Sequence, residues 1–110
     1  MNIIITVPKT IKWSEYLKEI EKCRDYKEVM NFKVPTLPKN CKVGDRCYVT
    51  HNGIVKGWME VVGFSTRGFD CTTTGQDWSD GNYVQRSGEF HGIESVEMKG
   101  FQSYRYCDEF

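Results

Sequence analysis

The chain has 110 residues, of which 39% are apolar and 14% aromatic, so it can build one hydrophobic core but has no room for a second. Fifteen basic residues balance fifteen acidic ones, which excludes a bulk electrostatic attraction to a long nucleic-acid duplex. No apolar run approaches the roughly 20 residues that span a bilayer, and the N-terminus lacks the regions of a secretory signal. We therefore predict one domain over residues 1–110, located in the cytoplasm and not associated with a membrane.

The first predicted elements are a strand and a helix. Residues 3–7 form a β-branched run that Pro8 closes, a pattern typical of a buried strand. From Trp13 to Arg24, apolar side chains recur at helical spacing with charged residues between them, which predicts one amphipathic helix. Either Thr10 or Ser14 is placed to cap its N-terminus.

Residues 25–40 are predicted to be irregular for most of their length. The first six residues can extend the helix or form a second short one. Pro35 and Pro38 interrupt any helix beyond that point. We therefore expect an extended segment with polyproline character that crosses to the rest of the domain.

A β-hairpin is the clearest local prediction. The turn Gly44-Asp45 precedes a strand over residues 46–50, and Asn52-Gly53 then leads into a long strand over residues 54–64. Within that long strand, Gly57 indicates a bulge or the close approach of another group. Further short strands are predicted over residues 69–74, 83–86, 93–98 and 101–106. The whole pattern predicts an α+β fold, a small and mostly antiparallel β-barrel with one or two N-terminal helices packed on it.

Residues 44–64 resemble the central hairpin of PUA-like barrels, a superfamily that includes the ASCH, EVE and YTH domains. The matching residues are Gly44, Asp45, Tyr48, Val49, Asn52, Gly53, Gly57, Glu60 and Val61. The order of elements and the closing segment over residues 100–106 are similar as well. The resemblance implies a single PUA-like, ASCH-like domain whose pocket opens between the barrel and residues 30–34. It informs the fold more than the activity, because the matching positions are mostly turn and core positions.

One departure from the family bears on activity. ASCH domains usually carry a Gly-x-Lys stretch, followed by an acidic-then-Arg strand, before the Gly-Asp turn. This chain has VMNFKVP at residues 29–35 instead. The amidohydrolase activity that some ASCH members show on acylated cytidine therefore does not transfer residue by residue.

The predicted ligand-binding residues are polar, cationic and aromatic: Asn31, Lys33, Trp58, Trp78 and Arg86. Asn31 offers both a donor and an acceptor to a base edge, and Lys33 can neutralise a phosphate or donate to a carbonyl. Trp58 and Trp78 provide faces on which a base can stack, and the Arg86 guanidinium can bind a phosphate. The alternative roles are ordinary ones: a helix cap for Asn31, a solvated Lys33, and tryptophans that only pack.

For catalysis, Lys33 and Glu60 are the one acid–base pair that can be proposed, provided that they meet in one pocket. A surface ion pair is the alternative. His51 and His91 have no recognisable triad partner and are predicted to be structural or exposed. The five cysteines stand at long, irregular spacings without a C-x-x-C motif, so we predict reduced thiols, no metal site and no cofactor.

Three functions remain open from the sequence. The first is a binding module for a nucleotide, a modified base, or a base of RNA or DNA. The second is an ASCH-like amidohydrolase on a modified nucleoside. The third is a small phage or mobile-element protein that inhibits a protein partner. The net charge is +5 over residues 1–56 (eleven minus six) and −5 over residues 57–110 (four minus nine), so the acidic half can mimic nucleic acid or simply attract the basic half.

Overall fold

The computed structural model of the chain describes residues 1–66, 69–70, 77–78, 81–98 and 104–107. Within these residues there is one helix, α1 (Trp13–Asp25), which at 13 residues is too short and too polar to cross a membrane. The strands are β1 (Ile3–Val7), β2 (Val29–Val34), β3 (Arg46–His51), β4 (Ile54–Ser65), β5 (Phe69–Asp70), β6 (Asp77–Trp78), β7 (Asn82–Ser87), β8 (His91–Glu97) and β9 (Tyr104–Tyr106).

Seven strands form one sheet that curls into a half-barrel. The strand order is β2-β7-β4-β3-β1-β9, and β8 pairs with the first half of β4 while β7 pairs with its second half. Only β1 and β3 pair in parallel among the described strands, and the others pair antiparallel. The predicted α+β fold of mostly antiparallel strands with a packed helix is confirmed at this level.

The core lies between the inner face of the curled sheet and α1. Side chains at alternate positions of the strands point inward, because successive residues of a strand face opposite sides, and the helix adds Ile20 to them. The buried strand residues of this cluster are Ile3, Ile5, Val7, Val34, Cys47, Val49, Met59, Val61 and Val84. Each fully buried aliphatic side chain contributes roughly 1.5–3 kcal/mol, so the core is what holds α1 against the sheet.

The structure corrects the prediction for residues 25–40. Val29–Val34 is a regular edge strand, β2, paired antiparallel with β7 from Val29↔Ser87 to Val34↔Asn82. Its alternating apolar side chains fit a half-buried strand, and Pro35 follows the last paired residue, so the prolines do not disturb the pairing. Asn31 therefore lies within a strand and caps no helix. The predicted capping of α1 is also wrong, since its N-cap is Lys12 without a side-chain cap bond.

The predicted hairpin is confirmed. β3 and β4 are joined through Asn52 and Gly53, whose φ angles of 52° and 75° are those of a tight two-residue turn. At Gly57 the structure has both predicted features. The register shifts between Val55 and Gly57, and a Cβ at position 57 would lie 2.3 Å from the His91 carbonyl oxygen.

The other predicted strands are present in shorter or shifted form. Strand β7 covers the predicted residues 83–86, and β8 begins at His91, two residues before the predicted start. Strands β5 and β9 lie within the predicted ranges 69–74 and 101–106. The remaining parts of these two ranges, residues 71–74 and 101–103, lie outside the described residues.

Candidate functional site

Asn31 and Lys33 lie on the outer face of β2. Phe32, between them, packs on the core instead, as the alternation of the strand predicts. Lys33 is exposed, whereas the Asn31 side-chain oxygen Oδ1 is buried and accepts no hydrogen bond. Two of the predicted ligand-binding residues therefore share a face, and this face is turned away from the core.

Trp58 lies on the outer face of β4, beside β8. The Arg46 guanidinium carbon is 4.2 Å from its ring centroid, and the His91 ring stacks on it at 4.1 Å. Because β3 and β8 flank β4 on opposite sides, these two groups approach the indole from opposite sides. Gly63 of β4 pairs with Gln85 of β7, which in turn pairs with Asn31. Trp58 lies five residues before Gly63, which is about 16 Å along β4. The structure therefore does not bring Trp58 to Asn31.

Trp78 is described only as part of the short ladder between β5 and β6, where it pairs with Phe69. The Trp78 side chain is outside the described part of the structure, so its role in stacking stays a prediction.

Lys33 and Glu60 are not brought together. Both side chains are exposed, and the described ion pairs include none between them. Lys33 pairs with Tyr83, which pairs with Ser65. Ser65 lies five residues beyond Glu60 on β4, about 16 Å along the strand.

Arg86 is the one predicted ligand-binding residue that lies inside the fold. It occupies an inward position of β7, opposite Met30 of β2 and Val61 of β4, and only 1% of it is exposed. Its Nη1 donates a hydrogen bond of 2.8 Å to the Tyr16 hydroxyl on α1, and its Cζ is 5.9 Å from the centroid of the Phe32 ring. Its Nε–H is buried and has no hydrogen-bond partner.

The groups that face this guanidinium are neutral near pH 7. Burial raises the pKa of the Tyr16 hydroxyl, and the positive charge of Arg86 only partly offsets that effect. Burial also raises the pKa of the Cys47 thiol, which lies within hydrogen-bond reach of Arg86, to about 11. For Arg86 itself, burial acts to lower the pKa, but at alkaline pH, where Tyr16 and Cys47 become anions, their attraction leaves the pKa raised. The interior therefore holds a charged guanidinium beside neutral partners.

A cluster of aromatic rings adjoins Arg86 at the start of α1. Trp13 stacks on Tyr16 with the ring centroids 5.6 Å apart, and it meets Phe90 edge-on at 5.6 Å and His51 at 5.8 Å. The rings of Trp13, Tyr16 and Phe90 are only partly buried. Six residues joined by these contacts are called the α1 site: Trp13, Tyr16, Phe32, His51, Arg86 and Phe90.

His51 fixes the entry to α1. Its ring is buried, and Nε2 is 2.7 Å from the carbonyl oxygen of Ile11. A carbonyl oxygen only accepts, so Nε2 carries the proton and donates it to this bond. The contact holds the segment before α1 against the end of β3, and it thereby positions the Trp13 ring.

Sequence reasoning missed the aromatic members of the α1 site. None of Trp13, Tyr16 and Phe90 is among the ligand-binding residues predicted from the sequence. The usable signal was their spacing: positions i and i+3 of a helix are neighbours, so Trp13 and Tyr16 form an aromatic pair on one face. Nothing local indicates that Phe90 joins them.

Comparison of the chain with protein-family models, with curated proteins and with solved structures finds no significant match. The fold and the site therefore define the class of protein by themselves. It is an α+β half-barrel domain with a buried cation and partly exposed aromatic rings where its helix crosses the sheet.

Cys47 is expected to make stability depend on pH in the alkaline range. The pKa of its thiol is raised from 9.0 to about 11 in the folded chain, so the folded state holds this proton more tightly than the unfolded state. Its contribution to stability is present below pH 9 and is lost as the pH rises toward 11, by at most about 1.4 kcal/mol per pH unit.

Urea unfolding of the wild type and of Cys47→Ala between pH 8 and pH 11 tests this expectation. The free energy of unfolding should fall less steeply with pH in Cys47→Ala. The Cys107→Ala variant, altered at a partly exposed thiol, serves as the control and should keep the wild-type slope. Equal slopes for wild type and Cys47→Ala would contradict the assignment.

Proposed function

We propose that the domain is a binding module that takes a nucleotide, or a single base that is free, modified or extruded from RNA or DNA, at the α1 site. The observation that carries the proposal is the pairing of partly exposed aromatic rings with a buried cation. The Trp13 ring contacts the rings of Tyr16 and Phe90, and Tyr16 connects it to Arg86. Aromatic faces hold bases by stacking, while a few placed polar groups fix their orientation.

The magnitudes favour this site over the outer face of β2. Stacking of a base on an aromatic ring contributes roughly 1–3 kcal/mol, and a hydrogen bond from a charged group contributes about 1.5–3 kcal/mol. The α1 site offers both kinds of contact. The exposed Lys33 ammonium is solvated, so its attraction for a phosphate is screened by water and salt.

As a further part of this proposal, the half-barrel is a PUA-like barrel. The order of strand, helix, edge strand and hairpin supports it, and so does the turn at Gly44, which has a φ of 98°. The resemblance implies a pocket beside residues 30–34. On this proposal it is Phe32, and not Asn31, that connects this segment to the ligand, because the Phe32 ring faces Arg86.

The amidohydrolase alternative gains no support from the described residues, since the only pair suggested for it, Lys33 and Glu60, is separated along β4. Inhibition of a protein partner stays a prediction from the charge of the C-terminal half. We therefore advance the binding module alone.

Thermal unfolding of the purified protein with nucleosides, nucleotides, modified bases and short single-stranded oligonucleotides tests the proposal. A ligand that binds only the folded state raises Tm by mass action. We expect a shift for one class of base, followed by a loss of affinity of roughly tenfold in Phe90→Leu, which removes one stacking face.

Tyr26→Leu is the matched control, because Tyr26 is a 72% exposed aromatic residue at the other end of α1, and it should bind as the wild type does. Loss of binding in Asn31→Ala, with binding retained in Phe90→Leu, would move the site to the outer face of β2. No shift with any compound would refute the proposal.

A further inference from the structure

The Arg86 guanidinium is a buried charge without an acidic partner in the described part of the chain. The described ion pairs all lie at the surface and join Met1 to Asp45, Lys22 to Glu19, and Arg24 to Asp25. Removing an ion from water costs several kcal/mol unless an opposite charge and hydrogen bonds compensate it. The protein therefore buries a positive charge that hydrogen bonds compensate in part and that no described acidic residue neutralises.

The donors of this guanidinium are only partly used. An arginine side chain has five N–H donors in a planar fork that matches the two oxygens of a carboxylate or phosphate. Nη1 donates to Tyr16 and the Cys47 sulfur is within reach, but the buried Nε–H donates to no group. A buried unused donor carries a desolvation penalty of its own, and a ligand oxygen would remove that penalty.

Tyr16 provides a second donor at the same place. Its hydroxyl oxygen accepts the hydrogen bond from Arg86, which leaves its own proton available for another acceptor. The ring is partly exposed, whereas Arg86 is not. The Tyr16 hydroxyl lies 2.8 Å from Nη1 of Arg86, so an acceptor bound to this hydroxyl is close to the guanidinium as well.

From these contacts we propose that the α1 site binds its ligand through an anionic group with two oxygens, a phosphate or a carboxylate, which accepts hydrogen bonds from Arg86 and from the Tyr16 hydroxyl. The inference rests on the proposed function, because it uses the same site, and it narrows the ligand from any base to one that carries such a group. An anion here forms charge-assisted hydrogen bonds with Arg86, which are stronger than neutral hydrogen bonds.

The first test uses the wild-type protein and no variant. Thermal unfolding is measured at constant ionic strength in acetate and in acetamide, which have nearly the same shape and differ in charge, and in inorganic phosphate against chloride. We expect acetate and phosphate to raise Tm while acetamide and chloride do not. Equal behaviour of acetate and acetamide, together with no effect of phosphate, would overturn the inference.

The second test compares a nucleoside with its 5′-monophosphate by calorimetric titration. We expect the monophosphate to bind the wild type more tightly by roughly tenfold or more, and we expect this difference to disappear in Arg86→Met. The matched control is Lys33→Met, which removes an exposed cation from the outer face of β2 and should preserve the difference.

The outcomes separate the two proposals. If nucleoside and monophosphate bind equally well to the wild type, base binding stands and the anion inference fails. If phosphate, acetate and glycerol phosphate stabilise the wild type but no nucleoside or nucleotide binds better than they do, the anion inference stands and base binding fails. If Arg86→Met does not fold, the acetate and acetamide comparison still decides.

Discussion

Replacing Arg86 with methionine is expected to raise the free energy of unfolding of the ligand-free protein, by roughly 1 kcal/mol or more. The desolvation penalty of a buried ion, several kcal/mol, exceeds the roughly 1–3 kcal/mol that is lost when the Tyr16 hydroxyl loses its partner. Methionine has a similar length and adapts to irregular space in a core, so little cavity is left. The substitution removes a charge that is 1% exposed and whose Nε lacks a partner. Urea unfolding at pH 7, in a buffer free of phosphate and carboxylate, measures the change.

Two companion variants make this result interpretable. Arg86→Ala should destabilise, because it leaves a cavity and deprives the Tyr16 hydroxyl of its partner. In Arg86→Met combined with Tyr16→Phe, both ends of the 2.8 Å hydrogen bond are removed, and we expect stability at least equal to that of Arg86→Met. A marked loss of stability in Arg86→Met would mean that the guanidinium stabilises the ligand-free fold. It would contradict the view that Arg86 is buried at a cost to stability because it binds a ligand.

Substitution of Gly57 by alanine is expected to destabilise the protein severely, by about 3 kcal/mol or more, at the upper end of what overpacking costs. The added Cβ would lie 2.3 Å from the His91 carbonyl oxygen and 2.5 Å from Cζ of Phe90. A backbone oxygen in a paired strand cannot move aside as a flexible side chain can, so β8 must shift away from β4. The measurement is again urea unfolding.

Gly92 is the matched control for this variant, since it pairs with Gly57 in the ladder between β4 and β8. A Cβ at Gly92 meets no atom within 4 Å, and Gly92→Ala should stay within about 1 kcal/mol of the wild type. The displacement of Phe90 in Gly57→Ala should also weaken ligand binding at the α1 site. Similar stabilities of the two alanine variants would show that β4 and β8 approach less closely than described.

The elements that the sequence predicted well are those whose signal is local. The β-branched run of β1, the apolar stripe of α1 and the Asn52-Gly53 turn each follow from residues that are neighbours in the chain. Strand β2 is not predicted from the sequence, because its partner, β7, lies about fifty residues further on, from Asn82 to Ser87. Pro35 and Pro38, which follow the strand, also indicate irregular structure.

The site was predictable in its chemistry but not in its position. The sequence predicts Arg86 as a ligand-binding residue because a guanidinium binds phosphate, but its burial inside the fold is seen only in the structure. The contacts around Arg86 join residues that are distant in sequence. Tyr16 lies 70 residues before Arg86, and Trp13, near the start of the chain, contacts Phe90 of its C-terminal half. Such proximity follows from the closing of the sheet, which no short pattern encodes.

The place of β1 in the sheet has a consequence for biosynthesis. β1 lies between β3 and β9, and Ile4 pairs with Arg105, so β1 has both of its partners only after β9 has been made. At about 5–20 residues per second, roughly 5–20 s pass between the translation of these two residues. During this time three consecutive isoleucines, at residues 3–5, form a strand with an open edge, the kind of segment that pairs with other chains. The chain can therefore aggregate through β1 until β9 has been made, and chaperone binding to residues 3–5 would protect it during this time.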